Sequence, residues 1–289
     1  MGTIIVVGTG SREAALREGL IRAGHQVWSW NEAASTPPSR WPKGGWIIAP
    51  LATVDEHGNL PELGIRHALS PEALGRLGPG GVLAAGRIAP PVQGWAEEAR
   101  VEVIALAELE VFRWLNAVPT AEGAIREAMG LDQLPLTGRM TAVMGFGHVG
   151  SVLALRLKAY GCGVRVLDAR SSARACAEAM GLEARPLAPR HLMGCELVFN
   201  TIPVAVVDES WVEQLTSAWF LELASAPGAV PPTLRDRLHY RALPGLPGTL
   251  APRRAAEIIW RSILTALAER GVEGLPLPEL PFGKVAEGA

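Results

Sequence analysis

Gly145-Phe146-Gly147-His148-Val149-Gly150 is the densest chemical signal in the chain. Glycines at this spacing let a backbone turn sharply and come close to a diphosphate. Gly145 permits the turn, Gly147 keeps a Cβ out of the phosphate's way, and Gly150 lets the next helix pack close. The spacing alone is weak. Here it follows the apolar run Thr141–Met144, opens the helical run Val152–Tyr160, and leads to Val164-Arg165-Val166-Leu167-Asp168. That strand–loop–helix–strand context is what the motif requires. A helix N-terminus at the loop offers unbonded N–H groups and a favourable dipole to phosphate. A nicotinamide dinucleotide is therefore expected on the second half of the chain, from about Thr141. His148 reads either as a phosphate contact or as a solvated loop histidine.

The second strand of this unit runs into Asp168-Ala169-Arg170-Ser171-Ser172. An acidic residue here holds the ribose 2′-hydroxyl of NAD. A guanidinium beside two hydroxyls grips the 2′-phosphate of NADP. The two signals conflict, and NADP is favoured over NAD on the expectation that Asp168 points away from the loop. An echo of the fingerprint, Gly8-Thr9-Gly10-Ser11-Arg12-Glu13, stands near the N-terminus. Glu13 takes the third-glycine position, where its charge would repel phosphate. The turn reads as the edge of a substrate site or as a plain surface turn, not as a second dinucleotide site.

The elements that must position these residues alternate between strand-like and helix-like runs, the pattern of parallel sheets covered by helices. In the first part, strands are expected at Thr3–Val7, Gln26–Trp30, Trp46–Ala49, Val82–Ala85 and Val101–Ile104, with a polar loop over Pro50–Asn59. Helices are expected at Glu13–Ala23 and Pro71–Leu77. Two helical pieces follow, Leu109–Leu115 and Thr120–Met129, the second opened by Pro119-Thr120. After a linker at Leu131–Gly138, strands are expected at Met140–Met144, Val164–Asp168, Leu197–Asn200, Trp219–Leu223 and Tyr240–Leu243. Pro252–Arg270 is the closing helix, with proline at its first position. The predicted fold is α/β, with two doubly wound parallel-sheet domains, the second a Rossmann domain. The expected spans are 1–118 for an N-terminal domain, 119–138 for an inter-domain helix and linker, 139–271 for the Rossmann domain and 272–289 for a flexible tail. The closing helix has the option of packing back on the first domain.

Composition narrows the function. The chain has 289 residues, 48% hydrophobic and 19% charged, with a formal net charge of −2, which is globular. The absence of a dense Lys/Arg block argues against a nucleic-acid partner. Cys162, Cys176 and Cys195 form no C-x-x-C pair and read as buried free thiols. The six histidines lack metal-ligand spacing, so no metal is expected. No apolar run is long enough to span a membrane and no signal peptide is evident, so a cytoplasmic location is expected. Trp28, Trp30, Trp41 and Trp46 cluster early in the chain and read as core packing or a subunit interface; a homo-oligomer is expected.

Several segments together resemble one family, the A subunit of dipicolinate synthase from spore-forming bacteria. They are Asn116-Ala117-Val118-Pro119-Thr120-Ala121-Glu122-Gly123, the glycine loop, Ala169-Arg170-Ser171-Ser172 and Asn200-Thr201-Ile202-Pro203. Further on come Leu221-Glu222-Leu223-Ala224-Ser225, Pro244-Gly245-Leu246-Pro247-Gly248 and Ala251-Pro252. The P-G-L-P-G segment before a Pro-started helix is the most specific, because it is not a general Rossmann feature. The resemblance implies a fold like that of D-2-hydroxyacid dehydrogenases. It also implies oxidation of dihydrodipicolinate to dipicolinate with NAD(P). The partner it implies is a smaller, flavoprotein-like B subunit. The chain departs from the family pattern at Ala226, where Ser-Arg-Pro-Gly is usual. It also carries His148 in place of the commoner arginine and Arg253 in place of the commoner lysine.

A small dicarboxylate substrate asks for two cationic or N–H-rich corners. Arg12 and Arg253, the latter beside the N-terminus of the closing helix, are the candidates; both read equally as surface arginines. Asn116 and Thr120 could hydrogen-bond a carboxylate, and Glu122 could take the proton. Thr120 also reads as a helix cap, with Glu122 near the positive end of the helix. Thr201, Ile202 and Pro203 are expected beside the nicotinamide ribose, with Pro244 and Gly245 in a stiff loop bordering the nicotinamide. Two rival readings stand beside this one. A D-2-hydroxyacid dehydrogenase would want a catalytic histidine and arginine late in the chain, where His239 is the one histidine and the family arginine is lost. A non-catalytic, dinucleotide-binding regulatory subunit would turn nothing over alone.

Overall fold

The computed structural model describes residues 3–30, 41–66, 68–131 and 135–272. The expected tail lies outside them from residue 273, as do residues 132–134 of the expected linker. The chain divides into two units. Of the described residues, one unit holds those before Trp114 and those after Leu250, and the other holds those from Trp114 to Leu250.

In the first unit, β1 (Thr3–Val7), α1 (Ser11–Arg22), β2 (Gln26–Trp30), β3 (Trp46–Val54), α2 (Pro71–Leu77), β4 (Val82–Ile88), α3 (Pro90–Glu98) and β5 (Glu102–Ala105) follow in order. The strands form one sheet, β2-β1-β3-β4-β5, with every pair parallel. Ile4 to Val7 of β1 and Trp46 to Ala49 of β3 are all buried. Such unbroken apolar runs are what a sheet covered on both faces needs. The polar loop expected over Pro50–Asn59 is corrected in part, because β3 continues to Val54. Its register against β4 shifts between Ala49 and Thr53, and Leu51 has φ 59°. A bulge accommodates Pro50, which has no N–H for the ladder. Gly86 of β4 faces the bulge, and a Cβ there would lie 2.5 Å from the Leu51 carbonyl carbon.

The helix α4 (Glu110–Met129) is continuous through Pro119, which corrects the expectation of two pieces. Ala117, Ala121, Ala124, Ile125 and Ala128 are buried along one face. That stripe holds the helix together although Pro119 removes one backbone hydrogen bond.

The second unit then runs through β6 (Met140–Met144), α5 (His148–Ala159), β7 (Gly163–Leu167), α6 (Ser171–Ala179), β8 (Glu183–Arg185) and β9 (Leu197–Asn200). It continues with α7 (Glu209–Leu215), β10 (Trp219–Glu222), α8 (Pro232–Arg235), β11 (His239–Ala242) and α9 (Leu246–Leu250). Its six strands are ordered β11-β10-β9-β6-β7-β8 and are all parallel. Counted from β6, this is the Rossmann order 3-2-1-4-5-6 read from the other edge, with the direction of winding reversing between β6 and β9. Ligands in such sheets sit at the carboxyl ends of the strands at that reversal.

The last helix, α10 (Pro252–Glu269), belongs to the first unit, where it packs on α1. Trp260 meets His25 and Trp46 at ring-centroid distances of 5.7 and 5.5 Å. The division therefore falls at Arg113/Trp114 and Leu250/Ala251, not at 118 and 138. Burial of one α10 face (Ala255, Ile258, Ile259, Ile263) draws the chain back. Trp30, Trp41 and Trp46 are buried, and Trp28 packs against the core that holds Trp30 and Trp41. Cys162 and Cys195 are buried, with burial pushing both thiols up. Cys176 is exposed, because it falls on the outward side of α6, where Ala173 and Ala177 face in.

Among the described residues no helix is long and apolar enough to cross a membrane, and no cluster of His, Cys, Asp or Glu could hold a metal ion.

The segment Pro244–Gly248 is not a stiff loop throughout. After Gly245 (φ 65°) it winds into α9, and Leu246 and Leu250 pack against α4 at Gly123. A Cβ on Gly123 would lie 2.6 Å from Leu250 Cδ1 and 3.1 Å from Leu246 Cβ. Gly123→Ala is therefore expected to destabilise the second unit by about 1–3 kcal/mol, read as a lowered midpoint in denaturant melts.

Candidate dinucleotide site

The three glycines of the fingerprint meet three different constraints. Gly145 has φ 88°, and a Cβ there would lie 2.6 Å from Thr201 Oγ1. A Cβ on Gly150 would run into the carbonyl oxygen of Gly145. Around the Cβ direction of Gly147 there is nothing within 4 Å. The outer two glycines are thus required by the fold. The middle one borders open space at the N-terminus of α5, which is where a diphosphate would lie.

The rest of the loop is held from three sides. Thr201 Oγ1 donates to Met144 O at 2.9 Å, and the Thr201 amide donates to the same oxygen. Phe146 is buried, and its N–H donates to Asp168 Oδ2 at 2.8 Å. Val149 is half-buried in the first turn of α5. The His148 ring stands edge-on to Trp114, with centroids 4.5 Å apart.

Asp168 does not turn away from the loop, which corrects the expectation behind the NADP preference. Its carboxylate reaches back to Phe146 and also accepts from the Arg170 backbone N–H at 2.9 Å and from Arg170 Nε and Nη2 at 3.1 and 2.9 Å. Its side chain is 6% exposed, whereas that of Arg170 is 64% exposed. The group presented to solvent at this corner is the guanidinium. Ser171 and Ser172 are exposed beside it in the first turn of α6. Arg174, not singled out from the sequence, donates to the carbonyls of Asp168 and Ala169 at 2.8 Å each and so fixes the turn. Its spacing of four from Arg170 was the available signal.

Burial pushes the Asp168 carboxyl up, but its Arg170 and Phe146 donors outweigh that and hold it below the usual carboxylate range. A carboxyl with a depressed folded pKa stabilises the fold above its unfolded pKa and loses that contribution as pH falls through the folded value. The stability gap between wild type and Asp168→Asn is therefore expected to be largest at neutral pH and to shrink below about pH 4. Denaturant melts of both proteins across pH 3–7 measure it.

The other expected residues scatter. Ile202 and Pro203 follow Thr201 at the carboxyl end of β9, Ile202 half-buried and Pro203 exposed; Pro244 and Gly245 are exposed after β11. Asn116 is half-buried on α4, two residues beyond Trp114. Thr120 is mid-helix and not a cap, its hydroxyl donating to Asn116 O at 2.7 Å. Glu122 is 62% exposed and faces Arg156 at 3.5 Å. Arg156 is eight residues along α5 from His148, about 12 Å at 1.5 Å per residue. Glu122 therefore stands two turns away from the glycine loop. His239 opens β11, at the amino end of a parallel strand and so opposite the ligand edge. That placement speaks against it as the catalytic histidine of a D-2-hydroxyacid dehydrogenase.

Arg12 and Arg253 belong to the first unit. Arg253 is exposed in the first turn of α10. Arg12 donates through Nε and Nη2 to Glu13 Oε1 at 3.0 and 2.8 Å. Glu13 is itself buried, folded against the turn so closely that a Cβ on Gly8 would lie 3.1 Å from its Cγ. The echo of the fingerprint is thus filled by the chain's own carboxylate.

Sequence reasoning missed Glu222. It is buried at the end of β10, joined to Asn200 Nδ2 at 2.5 Å. An acidic residue closing an apolar strand, Leu221-Glu222-Leu223, was the signal.

No family model matches the chain. It is 32% identical over 180 residues to the A subunit of dipicolinate synthase from Bacillus subtilis (strain 168), a stretch covering 60% of either protein. The chain thus matches that relative over less than two thirds of its length. In fold, it is similar to the crystal structure of the dipicolinate synthase A chain from Bacillus subtilis, with a TM-score of 0.75, 23% identity, and coverage of 94% of this chain and 98% of that one. D-lactate dehydrogenase from Escherichia coli is also similar in fold, with a TM-score of 0.55, 12% identity, and coverage of 95% and 99%. Two parallel-sheet α/β units of this kind are the fold that the chain shares with these dehydrogenases. By sequence over those 180 residues, and by fold over nearly its whole length, the chain is similar to dipicolinate synthase A subunits.

Proposed function

We propose that the protein is an NADP-dependent dehydrogenase that oxidises dihydrodipicolinate to dipicolinate. The observation that carries this reading is the open Gly147 at the N-terminus of α5, in a chain related to a dipicolinate synthase A subunit. The residues present fit a dinucleotide. The α5 terminus suits the diphosphate, and the loop after β7 suits the adenosine ribose. NADP is favoured because Arg170, not Asp168, is exposed at that loop, with Ser171 and Ser172 beside it. When bound, the cofactor would accept the hydride. Loss of a hydride and a proton makes the ring aromatic, so the protein's main task is positioning. Of Asn116, Thr120 and Glu122, Asn116 is the favoured substrate contact, because Glu122 faces Arg156 and the Thr120 hydroxyl is bonded to the helix backbone. Arg12 and Arg253 are the proposed partners of the substrate carboxylates. In this reading the chain works in the cytoplasm, as a homo-oligomer, with a flavoprotein-like B subunit.

The test is formation of NADPH and of NADH from dihydrodipicolinate generated in situ, by the chain alone and with the B subunit. Reduced cofactor appearing together with dipicolinate supports the reading, and the faster nucleotide settles the preference. Cofactor binding without turnover, even with the partner, would leave a dinucleotide-binding regulatory protein.

A further inference from the structure

Glu222 closes β10 and Asn200 closes β9, and the two are register partners at the carboxyl edge of the sheet. Both are buried. Asn200 Oδ1 accepts the Ile202 N–H at 3.0 Å, while its Nδ2 donates to Ile202 O at 2.9 Å and to Glu222 Oε1 at 2.5 Å. Glu222 Oε1 also accepts from the Ala224 N–H at 3.1 Å, and Oε2 from the Ala229 N–H at 2.8 Å. Gly228, at φ 75°, wraps the same carboxyl so closely that a Cβ would lie 2.6 Å from Oε2. One side-chain pair therefore sets the path of two loops, 201–203 and 223–229. The first of these is tied to the glycine loop through Thr201 Oγ1 and Met144 O.

A buried carboxyl is costly to keep, and here burial pushes it up against the pull of its three donors. An apolar residue would close the strand without that cost. What the carboxyl adds is a fixed loop geometry, on the side of the winding reversal away from the adenosine-ribose loop.

We infer that Asn200 and Glu222 are positioning residues for the nicotinamide half of the dinucleotide, acting through the 201–203 and 223–229 loops that they join. This rests on the dinucleotide reading above. The probes are NADPH and 2′,5′-ADP, which lacks the nicotinamide half; NADH and AMP are run in parallel, so that the outcome does not depend on the 2′-phosphate. In Glu222→Gln one carboxylate oxygen becomes an NH2 group facing N–H donors. NADPH affinity is expected to fall about tenfold, with 2′,5′-ADP affinity unchanged. An equal loss for both ligands means that the pair only supports the fold, and no loss for either means that it does not position the ligand; each overturns the inference. If the wild type binds neither probe pair, the dinucleotide reading itself fails and takes the inference with it.

Amide exchange on the wild-type protein tests the same point without a variant, should Glu222→Gln not fold. The amides of residues 201, 202, 223–226, 228 and 229 are expected to gain protection with NADPH and not with 2′,5′-ADP. Equal protection by both, or none by either, overturns the inference.

Discussion

Gly147→Ala is expected to lower dinucleotide affinity by about tenfold or more while leaving the melting temperature unchanged. The separation follows from the surroundings of each glycine. Gly147 has an extended backbone (φ −95°, ψ −157°) that alanine adopts freely, and no protein atom lies within 4 Å of its Cβ direction. The new methyl group would intrude only on a ligand. Gly150→Ala is expected to do the reverse. Its methyl group would meet the Gly145 carbonyl, a backbone atom that can move only if the turn moves. The second unit should then lose about 1–3 kcal/mol or more, and affinity should fall as a consequence of the damaged turn. Thermal melts and fluorescence titration with NADPH, run on both variants, separate the two effects. A Gly147→Ala protein that binds as well as wild type would falsify the placement of the diphosphate.

Arg170→Ala should raise the KM for NADP by about ten- to a hundredfold while changing that for NAD little. The guanidinium is the exposed member of the Asp168–Arg170 pair, and a hydrogen bond to a charged group is worth roughly 1.5–3 kcal/mol. Arg170 also neutralises Asp168, so its removal would leave a buried carboxylate held by Phe146 N–H and the residue 170 amide, turning the corner from phosphate-binding to phosphate-repelling. Both effects act against NADP. Steady-state kinetics with each nucleotide, or direct titration, measure the ratio. Equal changes for both nucleotides would mean that Arg170 holds the turn and does not read the 2′-position.

The buried Glu13 accounts for the asymmetry between the two units. Both have a glycine turn between a first strand and a first helix, and both sheets are parallel. In the first unit the turn is filled by Glu13 with Arg12 across it; in the second the corresponding space at Gly147 is open.

Local sequence determined the parallel α/β class, the order of most strands and helices and the glycine loop. These depend on interactions a few residues apart: apolar runs for doubly covered strands, and glycine where a Cβ would strike its own turn. The steric need for glycine at Gly145 and Gly150 was legible for the same reason. What lay beyond it depended on partners distant in the chain. The bulge that carries β3 through Pro50 relies on Gly86, 36 residues on. The unbroken α4 relies on a buried face that outweighs Pro119. The closing helix joins the first unit because α1 and Trp46 offer it an apolar surface. Tertiary structure also decided the site's electrostatics. It turned Asp168 inward onto Phe146, 22 residues away, and exposed Arg170. It carried Glu122 two turns from the glycine loop. It brought Glu222 against Asn200 by register alone. Residue type sets what a side chain can do, but whether its charge faces solvent, a partner or the core is set by strand pairing and burial, which no local pattern encodes.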